Sequence, residues 1–535
     1  MNCLLKYKSS FAMAWCIAVL ALPMAFSQAD YPTLFDDSET ESWQVSENDP
    51  FMSRGRTLKI STEFLTSGTY SSPGQAVHLN LFKDAEFLAV AEKVTQNPSG
   101  SVTWAGYLDG IDHGSATFVI NPDGVVAGSI VMPGALFRIR YAGKDQHLIF
   151  QVDTASLPPD ADPIPVDAPS DEKEGQQQIG TYSDSGSVID VLVVYTAAAR
   201  SAAGGTSSMN ALVDLAVSET NTSYSNSGVN TQLNLVYKGE VSYSETGNFS
   251  TDLGRLAGTS DGYMDGVHSL RDQYCADNVA LIVNATQYCG IAYLMSTVST
   301  SFEDSAFSVT SRVCATGYYS FGHELGHNMG ARHDWYVDSG TSPYVYNHGY
   351  VNVADNWRTV MSYNNECSAN GTNCTRIQYW SNPNVTYGGD PMGVGGSTSG
   401  SSANNALALN NSLATVANFR DSSSGNCGGS TGGGGCNGTN YPGTLTGSGD
   451  YDWQPNGNYY YVGSSGTHEG ELEGPAGTDF DLYLYKWNGS WQVVASSTSS
   501  SSQESISYSG TSGYYVWRVT SYSGSGDYDL CLDTP

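Results

Sequence analysis

The eleven residues from 323 to 333, His-Glu-Leu-Gly-His-Asn-Met-Gly-Ala-Arg-His, restrict the fold more than any other stretch of the chain. His323 and His327 are four residues apart, so a helix sets both imidazoles on one face, where they can share a metal. Glu324 stands beside the first of them, within reach of a water on that metal. Gly330 permits a left-handed turn that ends the helix and returns His333 from another side. Three neutral imidazoles leave a fourth tetrahedral position open, the arrangement of catalytic rather than structural zinc. The short His-Glu-x-x-His form arises by chance in about 1% of chains this long, but the later Gly and His lower that to roughly 1 in 50,000. His78, His113, His147, His268, His348 and His468 stand alone, and each reads as a surface or core histidine.

Thr359-Val360-Met361-Ser362-Tyr363 follows about thirty residues after His333. Met361 can form an apolar floor beneath the imidazoles, and Tyr363 can point toward the metal.

The surroundings divide into blocks. Residues 1–29 read as a signal peptide: Lys6 and Lys8 precede an apolar run from Phe11 to Leu22, and Ala25, Ser27 and Ala29 suit cleavage. That run is too short to span a bilayer, so the expectation is a secreted, extracellular protein without a membrane anchor. Residues 30–155 alternate short apolar runs with Gly, Pro and Asn-Pro-Asp-Gly turns, which predicts a β-rich domain. Residues 156–187 open with an acidic, Pro-rich stretch, and the composition predicts an exposed, cleavable linker. Residues 188–420 alternate strand-length apolar runs (Val188 to Tyr195, Leu233 to Tyr237, Val279 to Val283) with helical spacing, as in Met209, Leu212, Val213, Ala216 and Val217. This predicts an α/β domain with a mostly parallel sheet. Residues 421–440 form a Gly/Ser linker, and residues 441–535 return to short Tyr-rich and Val-rich strands that predict a small β-sandwich.

Ten cysteines, eight of them beyond the signal segment, read as disulfides in an exported chain. Cys367 with Cys374 closes a short polar loop and is the first expected pair; Cys289 with Cys314 is the second. With 22 Lys+Arg against 53 Asp+Glu the net charge is −31, which excludes a nucleic-acid binder that works by phosphate neutralisation.

HELGHNMGARHD with the downstream TVMSY resembles the metzincin zinc metalloendopeptidases, and the Asp after the third His resembles their reprolysin branch, particularly bacterial secreted members. The resemblance implies that His323, His327 and His333 ligate Zn2+, that Glu324 is the general base and that Met361 is the Met-turn residue. Tyr363 matches the position where astacins and serralysins, rather than animal reprolysins, carry a Tyr. Gly290, Ile291, Ala292 and Tyr293 resemble the edge strand that pairs with substrate, with a plain buried strand as the alternative. The β-rich domain resembles a propeptide without a metal-blocking Cys, which leaves Asp112 or His113 as weak candidates for latency. The last block is similar to bacterial pre-peptidase C-terminal domains. Its Tyr and Trp suit an insoluble extracellular polymer, and Asp479 and Asp481 suit either Ca2+ or a plain solvated turn.

The function implied is a secreted zinc endopeptidase, made as a preproprotein, that hydrolyses extracellular proteins. An adhesin with an inert protease domain is the competing class, but an inert copy would be expected to have lost Glu324 or a ligand. The resemblance includes peptidyl-Asp metallopeptidases, whose pocket would need a basic residue; Arg312, Arg332, Arg358 and Arg376 are all open to that role. Asp160, Asp162, Asp167, Asp171 and Asp184 would then be sites for self-processing.

Overall fold

The computed structural model describes residues 31–36, 50–66, 72–97, 99–167, 188–420, 439–455, 459–475 and 477–534. The expected signal peptide, the later part of the acidic linker and most of the Gly/Ser linker lie outside the described residues. In the N-terminal block, strands β1 (Phe35–Asp36), β2 (Met52–Ile60), β3 (Ala76–Phe82), β4 (Ala85–Gln96), β5 (Val102–Leu108), β6 (Ser115–Ile120), β7 (Val126–Met132), β8 (Ala135–Gly143) and β9 (Gln146–Val152) follow one another. They form one antiparallel sheet in the order β1-β2-β9-β8-β7-β6-β5-β4-β3. The Asn121-Pro122-Asp123-Gly124 turn joins β6 to β7, with Gly124 at φ +77°. Leu34 N–H donates to the His78 carbonyl and His78 N–H to that of Pro32, both at 2.9 Å, so the two ends of the sheet meet. Trp104, Phe118, Leu79 and Ile149 fill the interior.

The second block is built on β11 (Val188–Thr196), β12 (Gln232–Val241), β13 (Asn278–Val283), β14 (Gly290–Met295) and β15 (Phe307–Ser311). β12, β11, β13 and β15 run parallel, and β14 lies antiparallel to β15. The run Asn278–Val283 is buried throughout, as expected of a central strand covered on both faces. Helix α1 (Thr206–Ser227) packs between this sheet and the N-terminal one: Val213 and Ala216 join the core of the second block, while Ala211 and Leu215 meet Val119 and Val125. Helix α2 (Phe249–Ala257) and α3 (Gly266–Gln273) cover the other face of the sheet, and α4 (Ser320–Asn328) carries the histidine motif.

Residues 156–166 differ from the exposed linker that composition predicts. Leu157, Pro158 and Ala161 are buried, and β10 (Ile164–Val166) adds a strand to the outer edge of β14, parallel to it. Composition counts side chains only. Here the sheet edge satisfies the backbone and a buried arginine satisfies the Asp160 carboxylate, so a polar segment can still pack.

Cys289 pairs with Cys314 and Cys367 with Cys374. The first bridge ties the start of β14 to the segment leading into α4. Residues 439–534 form a four-stranded and a five-stranded sheet packed over Leu482, Trp517 and Leu530.

Candidate active site

Helix α4 is buried along its whole length, and its spacing sets His323 and His327 on one side. Gly330 takes φ +87°, with Pro343 and Met295 so close that a Cβ would crowd them, and the chain turns there. His333 thereby comes back to the helix. Its Nε2 lies 3.1 Å from Nε2 of His323 and 3.1 Å from Nε2 of His327. The Nδ1–H of His323 donates to the Val360 carbonyl (2.9 Å) and that of His327 to the Ala331 carbonyl (2.8 Å), which leaves both Nε2 atoms as bare acceptors. His348 Nδ1–H donates to the His333 carbonyl (2.7 Å) and fixes the third arm. Burial, the main cause, pushes His327 down to about 4 and holds His323 and His333 well below the usual imidazole range.

Three neutral lone pairs converging this closely repel one another unless a cation lies among them. Nitrogens about 2.0–2.1 Å from a common tetrahedral centre stand about 3.3 Å apart, close to what is seen. The donor set therefore fits a metal, and among the described residues it is the only cluster of three or more His, Cys, Asp or Glu suited to one. Asp479 and Asp481 belong to no such group; Asp481 accepts instead from the Tyr483 hydroxyl at 3.2 Å.

Glu324 is fully buried, and neither carboxylate oxygen has a hydrogen-bond partner. Burial first, and then the nearby charge of Asp160, raise it well above the ordinary carboxylate range. A Cβ at Gly290 would overlap the Glu324 carboxylate, so any larger first residue of β14 would displace that side chain. Ile291 and Ala292 are buried, and Tyr293 accepts through its carbonyl from Asn328 Nδ2 at 2.8 Å. Met361 is buried below α4, its sulfur 3.0 Å from where a Cβ at Gly326 would lie. The Tyr363 ring lies 4.1 Å from that of His333, and its hydroxyl donates to the Ala161 carbonyl (2.8 Å). Asp334, which the sequence offered only as a family mark, accepts the backbone N–H of Tyr363 (2.8 Å) and so pins the 359–363 turn to the third histidine.

The outer edge of β14 is taken by residues 159–166. Cys289 N–H donates to the Pro159 carbonyl (2.8 Å) and Ala161 N–H to that of Gly290 (3.3 Å). Asp160 is ion-paired with Arg376. Of the four candidate arginines, Arg358 and Arg376 line the roughly 970 Å3 cleft that also holds Asp160 and Tyr363. Arg332 pairs with Asp338 instead, and Arg312 bonds Asn284. The latency candidates in the Asp112-His113 turn do not reach the imidazoles. His113 stacks on Tyr387 at 3.5 Å and lines a groove that contains none of the three.

Residues 185–381 match the family described as Metallo-peptidase family M12. A peptidyl-Asp metalloendopeptidase of Stenotrophomonas maltophilia (strain R551-3) is 41% identical over 352 residues, 62% of this chain and 80% of that protein. This chain belongs to the M12 metallopeptidase family. It is a metalloendopeptidase; its family implies zinc, and among the described residues a triad of histidines suited to a metal is present. A peptidyl-Asp metalloendopeptidase of Xanthomonas campestris pv. campestris is 40% identical, covering 59% of this chain and 73% of its own. One from Pseudomonas fragi is 36% identical over 38% of this chain and 100% of its own. Among solved structures, the pre-peptidase C-terminal domain of a Bacillus anthracis collagenase is 18% identical, covering 18% of this chain and 89% of its own, with a TM-score of 0.16. Among the described residues no helix of this M12 metalloendopeptidase is long and apolar enough to cross a membrane.

Proposed function

We propose that the chain is a secreted zinc endopeptidase, made as a preproprotein, that cuts extracellular proteins at bonds beside Asp. The observation that carries this reading is the convergence of three buried Nε2 atoms next to an unpartnered, buried glutamate. The preference for Asp is taken from the names of the relatives. His323, His327 and His333 hold the zinc through Nε2. When bound, zinc supplies Lewis-acid chemistry, polarising a peptide carbonyl and lowering the pKa of water. Glu324 takes a proton from the attacking water and passes it to the leaving amine; burial, which raises its affinity for protons, favours holding it in between. Tyr363 offers its hydroxyl to the substrate carbonyl as negative charge develops there. Met361 supports the imidazoles from below. β14 gives its backbone, with Gly290 to Tyr293, to an extended peptide.

The N-terminal sheet acts as the propeptide, and the C-terminal sandwich as a targeting module. Tyr459, Tyr461, Trp487 and Tyr514 are 45–61% exposed there, which suits a flat, insoluble polymer.

Glu324→Gln should keep one zinc per chain and lose kcat/KM on casein-derived peptides by about 10³-fold or more. Metal analysis beside a fluorogenic assay checks both halves, and full activity in the variant would end the mechanism.

A further inference from the structure

We propose that Arg376 reads the acidic side chain of the substrate, and that Asp160 of this same chain occupies that place before maturation. The inference rests on the reading of the chain as an endopeptidase that cuts beside Asp.

Three observations carry it. Arg376 and Asp160 have only 1% and 5% of their side chains exposed, and both guanidinium Nη atoms face the two carboxylate oxygens, fork to fork. The backbone carbonyls and the aromatic ring that hold the Arg376 guanidinium belong to the catalytic block, although residues within 131–136 and 154–162 also line the cleft. Arg376 donates from Nη1 to the Tyr318 carbonyl and from Nη2 to that of Ser362, each at 3.2 Å. It also lies 4.6 Å from the centre of the Tyr318 ring. Arg358 is buried beside it, donating to the Cys374 carbonyl (3.2 Å) and the Tyr318 hydroxyl (2.9 Å). Of these groups, Asp160 alone comes from the linker. When that segment leaves, two buried guanidiniums remain with no carboxylate between them, a site that favours an incoming anion and disfavours a neutral isostere.

The third observation is where the pocket stands. The residue after Asp160 presents its carbonyl to the Tyr363 hydroxyl at 2.8 Å, and that ring lies against His333. Pro159 and Ala161 bond the backbone of Cys289 and Gly290, and Gly290 is the residue the Glu324 carboxylate touches. An acidic side chain in the Arg376 pocket therefore belongs to the neighbour of the residue whose carbonyl meets the Tyr363 hydroxyl, a position at the edge of the catalytic groups. Asp160 holds it as the chain's own occupant.

The test has two arms. In the first, matured wild type and Arg376→Gln, each purified after expression of the full chain, are assayed on paired quenched peptides that differ only in Asp or Asn beside the scissile bond. The Asp/Asn ratio of kcat/KM should fall on the order of 100-fold in Arg376→Gln. A wild type with no preference for Asp overturns the functional reading itself. A wild type that prefers Asp, beside a variant that keeps the preference, overturns this inference alone.

The second arm holds even if Arg376→Gln does not fold. Intact precursors carrying Glu324→Gln, with and without Asp160→Asn, are titrated with a fluorescein-labelled Asp peptide and its Asn counterpart. The double variant should bind the Asp peptide at least about tenfold tighter than the single variant does, and tighter than it binds the Asn peptide. Equal binding of the Asp peptide by the two precursors would show that Asp160 merely ties down the linker, and the proposal would fall.

Discussion

Gly290 shows how closely the site is packed at single atoms. Alanine there would drive its methyl into the Glu324 carboxylate, on a strand that is paired with β15 and bridged at Cys289 to Cys314. Gly290→Ala should therefore keep its metal and melt within a few degrees of wild type, yet lose about 100-fold or more in kcat, because overpacking costs about 1–3 kcal/mol and moves the base. Zinc content, thermal melts and steady-state kinetics on one preparation check this; a fully active variant would mean that Glu324 moves freely. Tyr363→Phe isolates a different atom. Losing only a hydroxyl, it should lower kcat with little change in KM, as expected of a group that acts in the transition state. An unchanged turnover number would reduce Tyr363 to packing. The histidines were legible in the sequence because a four-residue helical repeat followed by Gly has few other uses. Arg376 was not, being one of four candidate arginines and 43 residues beyond His333, brought to the site only by tertiary packing.

At the scale of elements, helix α1 carries the lesson. Its apolar residues at helical spacing announced one buried face, but its polar side is buried as well: Ser208, Asp214, Ser218 and Glu219 are all at most 9% exposed. Such residues look solvated in a sequence, and only their tertiary partners, from the N-terminal sheet and from the catalytic block, explain them. Ser218 meets the Thr103 hydroxyl at 2.8 Å, and Glu219 accepts from the Ser129 hydroxyl and from Gly317 N–H. The same blindness hid residues 156–166, whose partners are a strand edge and an arginine.

Burial raises Glu219 from 4.5 to about 7. Between those values the folded chain holds a proton that the unfolded chain has released, so stability falls as pH rises through the window, by up to about 3 kcal/mol. Glu219→Gln cannot titrate and should flatten that slope. Urea midpoints of both proteins at pH 5 and pH 7.5 check it, and parallel pH dependences would clear Glu219 of the role.

For the whole molecule, the proposed propeptide raises the question of where the N-terminal sheet would be cut away. Asp160 is sequestered and Asp162 belongs to the seated segment, which leaves Asp167, Asp171 and Asp184, between that segment and β11 in the sequence, as the remaining candidates for self-processing. We expect amino-terminal sequencing of active, secreted protein to give a start between residues 167 and 187, and the Glu324→Gln precursor to remain uncut. A start near Gln28 in active material would refute the propeptide assignment, and identical processing of the inactive variant would mean that another protease makes the cut.

The strand seated on β14 has a further effect, on how copies of the protein behave toward one another. Without it, β14 would present a bare row of amides and carbonyls at the rim of the sheet, and such a rim pairs readily with any extended chain, including a second copy of itself. With residues 159–166 in place those groups of β14 are taken, and the rim of the sheet passes to β10, three residues long and interrupted by Pro165, which has no N–H to offer a second chain. Under the proposed maturation, the strand edge that would receive an extended peptide is bared only when residues 159–166 leave.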